Sequence, residues 1–203
     1  MAYCYIIGAM QQTAHHAVHS HTTGFAHPPR NVGALGIEPG MHVADFGSGS
    51  GAYVHLIAER LAHSGHVYAV DIQKDLLQRT KNDATRRGFK NVEVIWSDLE
   101  HPGASKIADR KLDLVLISNL LFQLENKKAV LAEAWRILKP TGRLAIIDWR
   151  ESFGGMGPIR QDVVDKDTAL EIASSAGFEL LREFPAGAHH YGLIFRLVPQ
   201  KNV

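Results

Sequence analysis

The sequence predicts an α/β domain built on a seven-stranded, mostly parallel sheet, with the last strand antiparallel and helices on both faces. Three observations carry this. Short aliphatic or β-branched runs alternate with longer stretches at helical spacing, a pattern that calls for parallel strands covered on both sides. The first such run leads directly into Gly47-Ser48-Gly49-Ser50-Gly51. The last two strand-like runs are separated only by Pro185-Ala186-Gly187-Ala188, too few residues for a crossover helix, so they pair antiparallel.

In chain order, residues 1–36 are rich in His, Thr, Gly, Ala and Pro without sustained periodicity, and read as a loosely structured arm or lid with a short helix near Arg30 to Leu35. Glu38-Pro39-Gly40 then makes a turn into a buried strand at 42–46. Further strands are expected at 66–71, 92–96, 112–118, 143–149, 178–184 and 191–198. Helices are expected at about 52–63, 74–87, 127–138 and 167–176. The helix at 127–138 should stop where Lys139-Pro140-Thr141-Gly142 forces a turn, and the one at 167–176 at Gly177. Residues 37–203 are thus taken as a single domain, the size of one α/β unit.

Composition narrows the function classes. Lys and Arg number 22 against 21 Asp and Glu, so there is no strong field to hold a polyanion, and nucleic acid is a disfavoured partner. The single cysteine, Cys4, makes an internal disulfide or a cysteine-built zinc site impossible within the chain, which suits a reducing compartment. A cytoplasmic location is expected, since the opening residues have neither the basic flank nor the apolar run of a signal peptide. No run approaches the ~20 apolar residues of a membrane span. The amino-terminal histidines include His15 and His19 at i, i+4, a spacing that could ligate a metal on a helix, but a solvated arm is the simpler reading and no metal is expected.

The chemistry is carried by three acids and a glycine loop. Val43-Ala44-Asp45-Phe46-Gly47-Ser48-Gly49-Ser50-Gly51 lies between the first strand and the helix after it. Glycines there let the backbone turn sharply and approach a ligand, while the helix start offers N–H groups to an anion. Gly47, Gly49 and Ala52 also satisfy a dinucleotide fingerprint, so the loop alone leaves the ligand open. Asp71 ends the second strand, where a carboxylate can accept from both hydroxyls of an adenosine ribose, which separates no cofactor from another. Asp98, in Trp96-Ser97-Asp98-Leu99, stands just beyond the third strand, where it can accept from the adenine amine. Asp71 could instead cap the next helix and Asp98 close a turn, since Asp is common at both.

With Asp45 two residues ahead of the first glycine, the set resembles a class I S-adenosylmethionine-dependent methyltransferase of Rossmann-like fold more than a nicotinamide-dependent dehydrogenase. It is most similar to the small-molecule branch that includes ubiquinone/menaquinone-biosynthesis type enzymes. The matching stretches are VADFGSGSG, VYAVDI, WSDLE, LDLVLISNLL, RILKPTGRLAIIDW and HHYGLIFRLV, over roughly residues 35–198. The resemblance implies that Asp45 and the loop, through Gly47, Ser48, Gly49 and Gly51, hold the methionine part of S-adenosylmethionine. It assigns Asp71 to the ribose, Ile72 to one face of adenine, Asp98 and the Leu99 backbone to its edge, and Asn119 to the region of the methionine amino group and the reacting methyl. Phe122 stands where many relatives have a histidine, so a base is not carried over there.

The implied reaction is methyl transfer to a small-molecule acceptor, on O, N, S or C. Alignment and exclusion of water can supply most of the acceleration, because the sulfonium leaving group is already activated. If the acceptor must lose a proton, the candidate bases are His190, Tyr191 and His189 at the start of the last strand, with Asp148 at the end of the fifth. The pair His190 and Tyr191 is expected at the mouth of the pocket, although polar residues at a strand end also occur simply because they meet water. Residues 150–166 and the arm should form the acceptor pocket, with Glu151 to Val164 as a movable cover hinged on its glycines. An RNA or protein methyltransferase and a non-catalytic S-adenosylmethionine-binding protein are the alternatives. No oligomeric state follows from the sequence.

Overall fold

The computed structural model describes residues 26–198. Expectations for residues 1–25, the bulk of the arm and its histidines other than His27, lie outside the described residues. The elements run α1 (Pro28–Ala34), β1 (His42–Phe46), α2 (Val54–Arg60), β2 (His66–Asp71), α3 (Lys74–Arg86), β3 (Val92–Trp96), β4 (Leu112–Ser118), a 3-10 turn (Leu121–Gln123), α4 (Lys127–Ile137), β5 (Leu138–Trp149), α5 (Lys166–Ser175), β6 (Phe178–Gly187) and β7 (His190–Leu197). They build one seven-stranded sheet in the order β3-β2-β1-β4-β5-β7-β6. β1 to β5 are mutually parallel, and β7 runs antiparallel to both β5 and β6.

Strand alternation sends successive side chains to opposite faces, and each face is dry. One carries Val43, Leu114, Leu116, Ala145, Ile147 and Ile194 under α1, α2 and Leu77 of α3. The other carries Phe46, Val115, Ile117, Ile146, Leu193 and Phe195 under α4 and α5. Capping explains where two of these helices begin: Asn126 accepts from the Ala129 N–H and starts α4, and Asp165 accepts from the Thr168 N–H and starts α5. Residues 97–111, between β3 and β4, hold no helix, and their anchor is Glu133 of α4. Its buried carboxylate accepts from the Ser105 backbone and hydroxyl and from Arg136. Burial would raise this carboxyl, yet those donors hold it below its ordinary range.

Three expectations are corrected. The described part of the arm carries the short helix expected there, as α1, but it is not loose: Val32 and Leu35 are buried in the core, and Asn31 donates to the Tyr53 hydroxyl and the Ala186 carbonyl. The reason lies in two prolines that pre-set the first turn of α1, and in an apolar stripe that sequence periodicity over so short a stretch cannot display. The helix α4 stops at Ile137, just ahead of Lys139 to Gly142, but that stretch forms no separate turn: β5 already begins at Leu138, and the stretch bulges within it, where the register slips between Leu112↔Leu138 and Leu114↔Arg143. The β6–β7 connection is shorter than expected, because Gly187 still pairs with His190 and a bulge between Pro185 and Gly187 accommodates the proline. No helix among the described residues is long and apolar enough to cross a membrane.

Candidate functional site

In an open α/β sheet the ligand crevice lies beyond the carboxyl ends of the strands, where the strand order reverses; here that point falls between β1 and β4. A cleft of about 240 Å³ opens there, and Gly47, Gly49, Asp71, Ile72, Asp98 and Leu99 are among the residues that line it. Six of the residues expected to hold a cofactor are thus brought together by three different strand ends. The cleft is also bordered by Gln73, Ser97, Glu100, Leu120, Gln123 and Leu124, none of which the sequence marked. The LLFQL stretch after β4 carried the only available signal for two of these, Leu120 and Leu124, as apolar residues placed just past a strand end.

The glycine loop is required by its surroundings. Gly47 has φ +72° and a Cβ there would stand 2.8 Å from Leu120 Cδ1. Gly51 has φ +82° and would meet Thr80 at 2.9 Å. Most of the loop's own donors are occupied: the Gly47 and Ser48 N–H groups reach the Val70 carbonyl, and Gly51 reaches the Ser48 carbonyl. The Gly49 N–H donates to Asp71 Oδ2 at 2.7 Å, and the Gln73 N–H to Asp71 Oδ1 at 2.8 Å. The expected anion cradle at the helix start is therefore not what the loop offers, since α2 begins only at Val54.

What the loop region leaves over is acceptors. Asp45 Oδ2, Asn119 Oδ1 and the Ser48 and Ser118 hydroxyls are buried with no hydrogen-bond partner among the described residues. Asp45 is 2% exposed; burial, and then the neighbouring Asp71 carboxylate, push its pKa up to about 8. Asn119 takes a left-handed backbone, φ +53°, as β4 turns out of the sheet. Buried polar atoms are normally satisfied, so an orphaned carboxylate oxygen near the end of β1 and an orphaned amide oxygen just past the end of β4, the strand beside it, mark a place for a donor, best a cation. Beyond Asp71, the Ile72 side chain is 58% exposed, and its carbonyl accepts from Trp96 Nε1 at 2.9 Å. Asp98 accepts from the Glu100 N–H at 3.0 Å, and Leu99 is buried beside it.

The histidines at β7 are placed otherwise than expected. Register pairs Asp148 with Tyr191 and Trp149 with His190, so the last strand does lie beside the end of β5. The two side chains nevertheless diverge, because neighbours on a strand face opposite ways. Tyr191 points to the α4/α5 face, is 2% exposed, and donates its hydroxyl to the Val164 carbonyl at 2.9 Å; burial raises its pKa. His190 points to the α1/α2 face, the side that also receives Asp45, and is 1% exposed with its ring 4.3 Å from that of Trp149. Burial and then His189 lower its pKa to about 4, and neither ring nitrogen has a hydrogen-bond partner among the described residues. His189 sits in the β6–β7 turn, where Nδ1 is 2.8 Å from Glu151 Oε1 and the ring stacks on Phe153. Neither His190 nor Tyr191 stands at an open mouth. Gly157 of the expected cover packs against the Trp149 ring, where a Cβ would meet it at 2.5 Å.

A family model described as a methyltransferase domain matches residues 37–192. The chain belongs to that methyltransferase domain family. It is similar to an arsenite methyltransferase of Halobacterium salinarum, 29% identical over 110 residues, covering 54% of this chain and 27% of that protein. It is also similar to a demethylmenaquinone methyltransferase of Listeria monocytogenes, 28% identical over 162 residues, covering 75% of this chain and 67% of that protein. Across the first four curated relatives the chain spans between 27% and 47% of their length. Among solved structures, a SAM dependent methyltransferase from Aquifex aeolicus superposes with a TM-score of 0.77 at 27% identity, covering 85% of this chain and 90% of that one.

Proposed function

We propose that this methyltransferase-family chain binds S-adenosylmethionine in the cleft between the glycine loop and Asp98, and transfers its methyl group to a small-molecule acceptor, releasing S-adenosylhomocysteine. The observation that carries the cofactor reading is the buried, partnerless acceptor pair of Asp45 Oδ2 and Asn119 Oδ1. These atoms suit the ammonium of the methionine part and disfavour a dinucleotide, whose pyrophosphate would face the Asp45 and Asp71 carboxylates. Asp71 would take the ribose with lone pairs its two loop donors leave free, Ile72 and Leu99 would flank adenine, and Asp98 would accept from its amine.

When bound, S-adenosylmethionine supplies an electrophilic methyl on a sulfonium that needs no further activation. The chain's part is to orient, to exclude water and to leave the acceptor in line. The segment from Glu151 to Val164 would cover the acceptor side, and its Gly157 packs against Trp149, whose ring meets that of His190. A base is assigned to none of the three β7 candidates on present geometry: Tyr191 is tied to Val164, His189 to Glu151, and the neutral His190 is a weak base near neutrality. A thiophilic acceptor such as arsenite would find no pair of thiolates within these 203 residues.

Calorimetry tests the cofactor half: S-adenosylhomocysteine should bind at micromolar or tighter affinity and NAD should give no heat. Incubation with methyl-labelled S-adenosylmethionine and size-fractionated extract tests the acceptor half. Label in a small-molecule fraction is expected, and label confined to RNA or protein would replace the acceptor class.

A further inference from the structure

Asp148 ends β5 on the α4/α5 face, opposite the face that receives Asp45 and His190, and it is 1% exposed. Both of its oxygens are committed. Oδ2 accepts from the Leu121 N–H at 2.9 Å and Oδ1 from the Trp149 N–H at 2.8 Å, with the Leu120 N–H also favouring the anion. The Asn119 N–H adds a bond to the Ile147 carbonyl, so the turn after β4 hangs from the end of β5. At that turn Leu120 presents its side chain to Gly47, across the cleft, so close that no Cβ fits between them. Leu120, Gln123 and Leu124 form this wall of the cleft.

We propose that Asp148 is a positioning residue, whose carboxylate fixes the backbone at Leu120–Leu121 and thereby sets the width of the cofactor cleft through the contact of Leu120 with Gly47. The proposal rests on the reading that the cleft takes S-adenosylmethionine. It removes Asp148 from the candidate bases, because a carboxylate that holds two backbone N–H groups behind the cleft wall has no open path to an acceptor. Burial raises the Asp148 carboxyl to about 6 against the opposing pull of its backbone donors and of Lys127 on α4. From β7 the carboxylate is faced by Tyr191, whose hydroxyl also feels Asp165 at the start of α5. Protonation would turn one oxygen into a hydroxyl that competes with the N–H it faces, and would loosen the turn.

The test is amide exchange at Leu121, expressed as protection over the intrinsic rate, together with S-adenosylhomocysteine affinity. In the wild type both should weaken as pH falls through about 6. Asp148→Asn keeps the volume but leaves one acceptor; it should lower Leu121 protection and affinity at pH 8 by about tenfold each and remove the step in Leu121 protection near pH 6. If the effect runs through Leu120, the affinity losses of Asp148→Asn and Leu120→Ala should be non-additive, the double variant matching the worse single one. Unchanged Leu121 protection in folded Asp148→Asn would overturn the proposal. So would a loss of protection spread evenly over β4 and β5, which is the mark of a merely structural role. Failure of the wild type to bind S-adenosylhomocysteine would strike the cofactor reading instead, and the exchange result would then decide the anchoring by itself.

Discussion

If Asp45 receives the ammonium of S-adenosylmethionine, as proposed, cofactor binding should be coupled to loss of a proton from its carboxyl. Free, its carboxyl titrates at about 8, because burial and the neighbouring Asp71 both disfavour the anion. Near pH 7 it is therefore protonated by about ten to one. An ammonium placed against Oδ2 favours the anion and would pull the pKa back toward the ordinary carboxylate range near 3.8. A return of that whole span corresponds to at most about 6 kcal/mol of coupling. Binding near pH 7 should then release about one proton, and affinity should rise roughly tenfold per pH unit up to about 8. Above about 8 the ligand's own α-amino group loses its proton, so affinity should peak there rather than level off. Calorimetry in two buffers of different ionisation enthalpy gives the proton count, and Asp45→Asn should abolish the release and bind at least tenfold more weakly at pH 8. Equal heats in the two buffers, with flat affinity from pH 6 to 8, would refute the reasoning.

Three further outcomes are expected. Gly47→Ala puts a methyl 2.8 Å from Leu120 Cδ1 on a left-handed backbone, so it should weaken S-adenosylhomocysteine binding by an order of magnitude or more and cost about 1–3 kcal/mol of stability, read by titration and urea unfolding; a neutral effect would mean the two loops separate freely. Asp71→Ala removes the proposed ribose acceptor and the bonds to the Gly49 and Gln73 N–H groups, and should cost about 1.5–3 kcal/mol of cofactor affinity; an unchanged dissociation constant in the folded variant would place the ribose elsewhere. His190 has a folded pKa of about 4, below its ordinary 6.5, so the stability it contributes is present above about 6.5 and is lost as pH falls toward about 4, by roughly 3 kcal/mol. His190→Phe should keep the contact with Trp149 and remove that acid limb from urea midpoints measured across pH, and an identical curve would show that the ring is solvated.

Much of the fold was legible because it rests on local signals. β1 to β4 were placed by apolar runs that a buried parallel strand needs on both faces, and the reversal of β7 by a connection too short to cross the sheet. Gly47, Asp71 and Asp98 announced the cleft because each follows a strand, and parallel strands bring their carboxyl ends to one edge whatever lies between them. Tertiary structure alone decided the rest, for lack of any local trace. Whether His190 or Tyr191 faces the cofactor side depends on the register of β7 against β5, since a slip of one residue exchanges the two faces. The burial that sets Asp45, Asp148 and His190 away from their ordinary pKa values is a property of the packed sheet, and no sequence spacing encodes it. The contact of Leu120 with Gly47 joins residues far apart in the chain, which meet only because β1 and β4 are neighbours where the strand order reverses.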